Sequence, residues 1–155
     1  HMLLPKRNIS EKKTPTVITW AGGGVNSAPL RYSAYTISKI AQLKMMELLD
    51  AEFEDTKFVI IGPGWVDTKI HRETLDAAGM AGDNHERTLS VINSKKWTSI
   101  EDVIDCCDWV IDQPAEVVSG RNFSVANGEW LDQGLASKLR RDNDLFKLRR
   151  HGNAE

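Results

Sequence analysis

The segment Lys57-Phe58-Val59-Ile60-Ile61 constrains the fold more than any other part of the chain. It is apolar after its first residue and ends at Gly62-Pro63-Gly64, a sequence that does not sit comfortably inside a regular element. A short apolar run without polar alternation is typical of a strand covered on both faces, as strands of parallel sheets are. The pattern therefore predicts a central strand of a sheet.

Further strands and amphipathic helices are predicted around this run. Residues 16–20 and 122–126 are short β-branched or apolar runs that predict one strand before it and one after it. Apolar residues recur at helical spacing from residue 31 to about 53, and again after Ser99, which with Asp102 resembles a helix-capping pair. Strands that alternate with helices predict right-handed crossovers. We therefore expect an α/β fold with about three parallel strands and flanking helices.

The 155 residues are enough for one domain with a substantial core. Residues 1–14 are predicted to be the remnant of an expression tag and a polar lead-in, since His1-Met2 is typical of a cleaved tag. Residues 15–134 are predicted to form the α/β unit, and residues 135–155 a polar, Arg-rich tail. A short helix is predicted from Val66 to about Leu75, and the pattern from there to Thr98 is mixed, with Gly79 and Gly82 indicating a mobile stretch.

Charge and hydropathy exclude several classes of protein. The 20 Lys and Arg and the 22 Asp and Glu give a net charge of −2 with both signs interspersed, so no basic field would attract nucleic acid or an anionic membrane. No apolar run approaches the roughly 18–20 residues needed to span a bilayer. We therefore expect a soluble, cytoplasmic protein that binds neither nucleic acid nor membrane.

Cysteine and histidine usage predicts no metal site. Cys106 and Cys107 are neighbours in sequence, too few and too close for a disulfide framework or a metal knuckle, and Cys107 falls on the apolar helix face, which predicts a buried thiol. His71, His85 and His151 have no metal-ligand spacing, so we interpret them as surface residues.

Tyr35 and Lys39 are the best candidates for chemistry. Their spacing places both side chains on one face of the long predicted helix, within electrostatic reach. An ammonium beside a phenol lowers the phenol pKa from about 10 and makes it a candidate general acid or base. The spacing alone also arises by chance. The pair nevertheless follows a Gly-rich loop at the carboxyl end of a predicted strand, the edge where open α/β sheets bind ligands.

Three motifs, in the right order along the chain, resemble those of one enzyme family. They are Tyr-x-x-x-Lys at residues 35–39, Pro-Gly-x-Val-x-Thr at residues 63–68, and Ser119-Gly120-Arg121 before the last predicted strand. Over roughly residues 15–127 the chain resembles the carboxyl-terminal half of a short-chain dehydrogenase/reductase. The resemblance implies a partial Rossmann-type, doubly wound parallel sheet.

The resemblance also implies roles for residues. Tyr35 would exchange a proton with the oxygen of an alcohol or carbonyl substrate, while Lys39 would lower the Tyr35 pKa and bind the ribose of NAD or NADP. The loop after the central strand would border the nicotinamide. The residues implied in cofactor binding are Lys39, Pro63, Gly64, Trp65, Val66 and Thr68. For Trp65, plain packing is an equal alternative.

Two departures from the family pattern stand beside these matches. The family's catalytic serine would fall on Ala21, which has no hydroxyl; Thr19 and Ser27 are alternative donors, although Thr19 should point elsewhere if it lies in a strand. The Gly-rich turn that binds the dinucleotide pyrophosphate is also missing, because Gly22-Gly23-Gly24 stands in the serine loop and lacks the G-x-x-x-G-x-G spacing. Competence would then require a complementary amino-terminal half.

We expect a half-domain of this kind to self-associate. Its first strand would have an unpaired edge, and its long helix would expose Ile40, Met45 and Leu49, so the chain is expected to form a homo-oligomer or to bind the complementary half. The alternative to an enzyme is a non-catalytic remnant of the family that serves as an oligomerisation scaffold.

Overall fold

The computed structural model describes residues 14–68, 70–76 and 82–150, in which three strands alternate with helices. Nearly all of the predicted lead-in lies outside these ranges, as do Gly79 and His151. The strands are β1 (Thr16–Trp20), β2 (Lys57–Gly62) and β3 (Asn122–Ser124). The helices are α1 (Ser33–Glu52), α2 (Ile70–Asp76), α3 (Asp83–Ser94), α4 (Ile100–Asp112), α5 (Ala115–Val118) and α6 (Leu135–Arg141), with a 3₁₀ turn at Glu129–Leu131.

The strands form one parallel sheet in the order β1-β2-β3. Thr16 lies opposite Lys57 and Trp20 opposite Ile61, while Ile60 lies opposite Asn122. Residues 57–61 of β2 are all buried. The predicted α/β fold, its three parallel strands and the central position of the apolar run are confirmed.

Alternate side chains of β2 enter two separate cores, as the period of two in a strand requires. Phe58 and Ile60 pack with Leu43 and Met46 of α1 on one face of the sheet. Val59 and Ile61 pack on the other face with buried residues of α4, α5, β3 and α6. Helices therefore cover both faces, which explains why β2 lacks polar alternation.

Helix α1 is amphipathic but exposes part of its apolar surface. Its inner face buries Leu43 and Met46. Of the residues predicted to be exposed, Met45 is 47% exposed, whereas Ile40 and Leu49 are partly buried. Ile37 and Leu48 are exposed instead, because they share the outer side of α1 with Met45.

Helix α4 is capped at both ends by side chains. The Ser99 hydroxyl accepts a hydrogen bond from the Asp102 amide at 3.0 Å, so the predicted N-cap is confirmed. At the other end, the buried Lys57 ammonium donates to the carbonyls of Val110, Ile111 and Gln113. A cation at a helix C-terminus is favourable, which explains why a lysine begins the most buried strand.

The carboxyl-terminal region differs from the polar tail predicted for residues 135–155. It begins with α6, which buries Leu135 and Leu139 in the core beneath β2 and β3. The buried Arg121 guanidinium donates to the carbonyls of Leu139, Asp142 and Leu145 and thereby fastens this region. The residues around these two leucines are mostly polar, so the sequence pattern did not predict that the leucines, four residues apart, face the core.

Three smaller predictions are also corrected. Helix α2 begins at Ile70 rather than at Val66, and a further helix, α3, occupies much of the stretch interpreted as mixed. The fully buried thiol is that of Cys106, whereas Cys107 is only partly buried, because the face of α4 toward the sheet is centred on Cys106. Burial raises the pKa of Cys106 to about 12.

Among the described helices, none is long and apolar enough to cross a bilayer.

Candidate functional site

Tyr35 and Lys39 lie in the first two turns of α1, at the carboxyl end of β1. The Lys39 ammonium donates to the carbonyl of Trp20, the last residue of β1, at 3.0 Å. It lies 6.0 Å from the centre of the Tyr35 ring. The sequence prediction that the two side chains share one face of a helix is confirmed, and the strand end joins them there.

The pKa of Tyr35 does not shift in the predicted direction. Tyr35 is 39% exposed, and the partial burial of its phenol disfavours the phenolate and raises the pKa; the neighbouring Tyr32 raises it further. Tyr32 packs edge-on against Tyr35, with ring centres 6.0 Å apart. The Lys39 ammonium does not offset these causes, because its hydrogen bond holds it at the Trp20 carbonyl.

Gly22 is a site residue that the sequence pattern did not single out. A methyl group in its place would lie 2.5 Å from the Tyr35 hydroxyl oxygen and 2.6 Å from Cγ of Lys39. The neighbouring Gly23 has nothing within 4 Å of the corresponding position. A glycine at residue 22 therefore allows the loop after β1 to approach both candidate catalytic side chains.

No hydroxyl stands where the family pattern expects a serine. Ala21 lies there, partly buried, and its amide donates to the carbonyl of Ile61 at 2.8 Å. The Thr19 hydroxyl is buried without a hydrogen-bond partner, and Ser27 is exposed. The Thr36 hydroxyl, to which no sequence motif points, is also buried without a partner and lies beside Gly24.

The loop at residues 63–68 leaves the carboxyl end of β2, next to the loop that follows β1. The two loops adjoin where Ala21 faces Gly62, since a methyl group at Gly62 would lie 3.7 Å from the Ala21 Cβ. Pro63, Trp65 and Val66 are partly buried, while Gly64 and Thr68 are exposed.

The loop of residues 63–68 is held by contacts to Thr98, which lies just before α4, and to α2. Gly64 has φ +78°, and a methyl group there would lie 2.5 Å from the Thr98 hydroxyl oxygen, so this position requires glycine. The Trp65 carbonyl accepts the Thr98 amide at 2.7 Å, and a ring nitrogen of His71 bonds the Val66 carbonyl at 2.9 Å.

Trp65 belongs to an aromatic cluster. Its ring stacks on His71 with centres 4.9 Å apart, and His71 lies 5.3 Å from Trp97. The Arg87 guanidinium of α3 lies 5.9 Å from the centre of the Trp65 ring. Packing, the alternative that the sequence left open for Trp65, is therefore part of its role, and His71 is not a freely exposed surface histidine. Nothing in the sequence pattern pointed to Trp97.

The third family-like motif forms structural contacts. The Ser119 hydroxyl accepts the Phe58 amide at 2.9 Å, Gly120 adopts φ +73°, and Arg121 binds the carboxyl-terminal carbonyls described above. This motif therefore joins β2 and β3 to residues 139–145.

No metal cluster accompanies Tyr35 in the described residues. No group of three or more His, Cys, Asp or Glu side chains there is placed to hold a metal ion. A cavity of about 310 Å³ lies between α6 and the segment that follows it, and its lining residues do not include Tyr35 or Lys39.

Comparison with known proteins adds no assignment. The sequence matches no family model, no curated protein and no solved structure.

Proposed function

We propose that the chain carries the acid/base half of an NAD(P)-dependent oxidoreductase of the short-chain dehydrogenase/reductase type, built on a partial Rossmann-type sheet, which interconverts an alcohol and a carbonyl. One observation carries the proposal: the Tyr35 phenol, the Lys39 ammonium and the loop after β1 converge at the carboxyl edge of a parallel sheet. That edge is where open α/β sheets bind ligands.

Tyr35 is suited to donating a proton. The phenol is protonated at physiological pH, so it can pass a proton to a carbonyl oxygen as negative charge develops there, although its raised pKa makes it a weaker acid than a free tyrosine. The Lys39 ammonium would stabilise the resulting phenolate once it leaves the Trp20 carbonyl, to which it is hydrogen-bonded.

The nicotinamide nucleotide, when bound, would supply the hydride. Lys39 and the loop of residues 63–68 would hold its nicotinamide and ribose, since both lie at the same sheet edge. The Gly22–Gly24 loop does not open a helix as a pyrophosphate cradle does, because residues 25–32 separate it from the first residue of α1. The proposal therefore includes a partner that carries this cradle, either a complementary amino-terminal half or a second chain, in the reducing cytoplasm.

A scaffold without catalytic activity is the second candidate. Lys39 is hydrogen-bonded to the Trp20 carbonyl, and Ala21 has no hydroxyl to hold a substrate oxygen. Loss of such a donor typically slows a reaction by about 10²–10³. In this case α1 and β1 would serve assembly alone.

The experiment that separates the two candidates is a titration of the chain with NADH and NADPH, followed by quenching of tryptophan emission. Trp20 is a natural reporter, since it is 45% exposed and its carbonyl binds Lys39. We expect saturable quenching that weakens at least about tenfold in Lys39→Ala. Lys44→Ala is the matched control, because Lys44 lies on the same helix and pairs with Glu47 instead.

Each result has a defined meaning. Quenching that is reduced in Trp20→Phe and weakened by Lys39→Ala supports a nicotinamide site at this edge. Equal weakening by Lys44→Ala would indicate nonspecific attraction of an anion. No binding at millimolar cofactor would contradict an oxidoreductase role for this chain by itself and would favour the scaffold.

A further inference from the structure

Arg87 on α3 lies over the ring of Trp65, in the loop that leaves the carboxyl end of β2. The guanidinium carbon is 5.9 Å from the centre of the ring, within the range of a cation–π interaction. Arg87 is exposed, and none of the ion pairs in residues 14–68, 70–76 and 82–150 includes it. A guanidinium on an aromatic face keeps the N–H donors in its own plane available for an acceptor.

The Trp65 ring is a fixed platform for this guanidinium. It stacks on the ring of His71, with centres 4.9 Å apart and an interplanar angle of 24°, and His71 lies 5.3 Å from Trp97. A carbonyl oxygen only accepts hydrogen bonds, so Nε2 of His71 donates to the Val66 carbonyl at 2.9 Å. Because the platform is held in this way, Arg87 has less freedom to lose when it binds a ligand.

The Arg87–Trp65 stack lies beside the edge of the sheet where ligands are expected. Trp65 follows Gly62, the last residue of β2, by three residues, which span at most about 11 Å. Gly62 in turn faces Ala21 in the loop after β1. The carboxyl edge of parallel strands is where open α/β sheets bind ligands. An exposed cation is therefore held next to this edge.

We propose that the Arg87–Trp65 stack binds an organic carboxylate. The planar guanidinium can donate two parallel hydrogen bonds to the two carboxylate oxygens. The apolar body of the ligand would lie against the exposed parts of the half-buried Trp65 and Trp97 rings. One guanidinium supplies one positive charge, which matches a carboxylate better than it matches a phosphate dianion.

The site also limits the substrate class, a step that rests on the proposed function. The carbonyl substrate would be an oxo acid, whose carboxylate Arg87 would hold while its carbonyl oxygen accepts the proton of Tyr35. A site of this kind rejects the neutral analogue of its ligand, because the guanidinium then loses its charged acceptor. Arg87 would accordingly determine specificity and take no part in proton transfer.

Phenylacetate tests the site on the full chain, with phenylacetamide as its neutral match. The side-chain indole signals in nuclear magnetic resonance spectra report binding, and Trp65→Phe identifies the signal of Trp65. Phenylacetate should shift this signal saturably, with weaker binding at high salt. Phenylacetamide should bind at least about tenfold more weakly.

Variants of the chain locate the site. Arg87→Gln should weaken phenylacetate binding at least about tenfold, and Arg87→Lys should restore only part of it, because an ammonium keeps the charge without the planar fork. Arg141→Gln is the matched control, since Arg141 is also exposed on a helix but donates to the Ser137 carbonyl. Arg87→Gln should weaken NADH binding less than it weakens phenylacetate binding. Unchanged unfolding midpoints would verify the fold of each variant.

Four results would overturn the inference. They are the absence of a saturable shift, equal binding of phenylacetamide, equal losses in Arg87→Gln and Arg141→Gln, and a loss of NADH binding in Arg87→Gln as large as that of phenylacetate, which would assign the guanidinium to a cofactor phosphate. Phenylacetate binding that depends on Arg87 in a chain that binds no NADH would support the carboxylate site and contradict the proposed function alone.

Discussion

At the scale of single residues, the approach of Gly22 to the Tyr35 phenol determines the environment of the candidate proton donor. The phenol is held close to backbone that has no side chain, and this proximity keeps part of its oxygen from water. The protonation state of Tyr35 is therefore sensitive to one methyl group at residue 22.

Replacing Gly22 by alanine should lower the Tyr35 pKa. The added methyl would displace the phenol toward solvent, and the pKa should fall toward the ordinary value of about 10. The chain has two tyrosines, so ultraviolet titration in a Tyr32→Phe background reports Tyr35 alone. Gly23→Ala should leave the titration unchanged, because Gly23 has open space around it. An equal effect of both substitutions would show that loop stiffness, and not contact with the phenol, controls the pKa.

At the scale of elements, Arg121 connects β3 to the turn after α6. Arg121→Met should destabilise the protein by about 2–4 kcal/mol, because one buried and two partly buried carbonyls would lose a charged donor while the apolar volume is kept. Urea unfolding measures the change. Arg140→Met is the control, since the Arg140 side chain is 49% exposed and lies 3.7 Å from Glu116, and its loss should cost less than about 0.5 kcal/mol. Equal losses would contradict a special role for Arg121.

The sequence predicted correctly those elements in which the apolar pattern agrees with a local feature such as a helix cap. The apolar run identified β2 and the Ser99 cap identified α4, because a buried strand and a side-chain cap can each be recognised directly in the sequence. Helix α6 was missed because it has seven residues and only Leu135 and Leu139 face the core. The start of α3 has no side-chain cap, so its boundary left no such mark.

The candidate site could be predicted only in part. The spacing of Tyr35 and Lys39 on one helix face follows from helical geometry, and the structure agrees. The hydrogen bond from Lys39 to Trp20 depends on where β1 ends relative to α1, which is tertiary information. The direction of the Tyr35 pKa shift depends on burial and on Tyr32, and no spacing rule contains either.

At the scale of the whole molecule, the exposed apolar side of α1 predicts self-association. Ile37, Met45 and Leu48 are 65%, 47% and 54% exposed, and the charges of α1 are mixed in sign, so a second copy meets little repulsion. Light scattering at micromolar concentrations should give a mass above that of one 17.4 kDa chain. Ile37→Ser/Leu48→Ser should reduce it to the monomer, whereas Ile104→Ser on α4, where Ile104 is 52% exposed, should not. A monomeric mass for the unmodified chain would contradict the prediction.

The hydrogen bond from Lys39 to Trp20 has a consequence for the open side of β1. The Ala21 amide pairs with Ile61, so the alternation of a parallel ladder turns the amides of Ile18 and Trp20, and the Trp20 carbonyl, away from β2. The Lys39 ammonium already donates to that carbonyl, and a charged group there discourages pairing with a further strand. Deuterium uptake along β1 should then alternate, fast at Ile18 and Trp20 and slow at Val17 and Thr19, and any partner strand that pairs with this side must first displace an ammonium group.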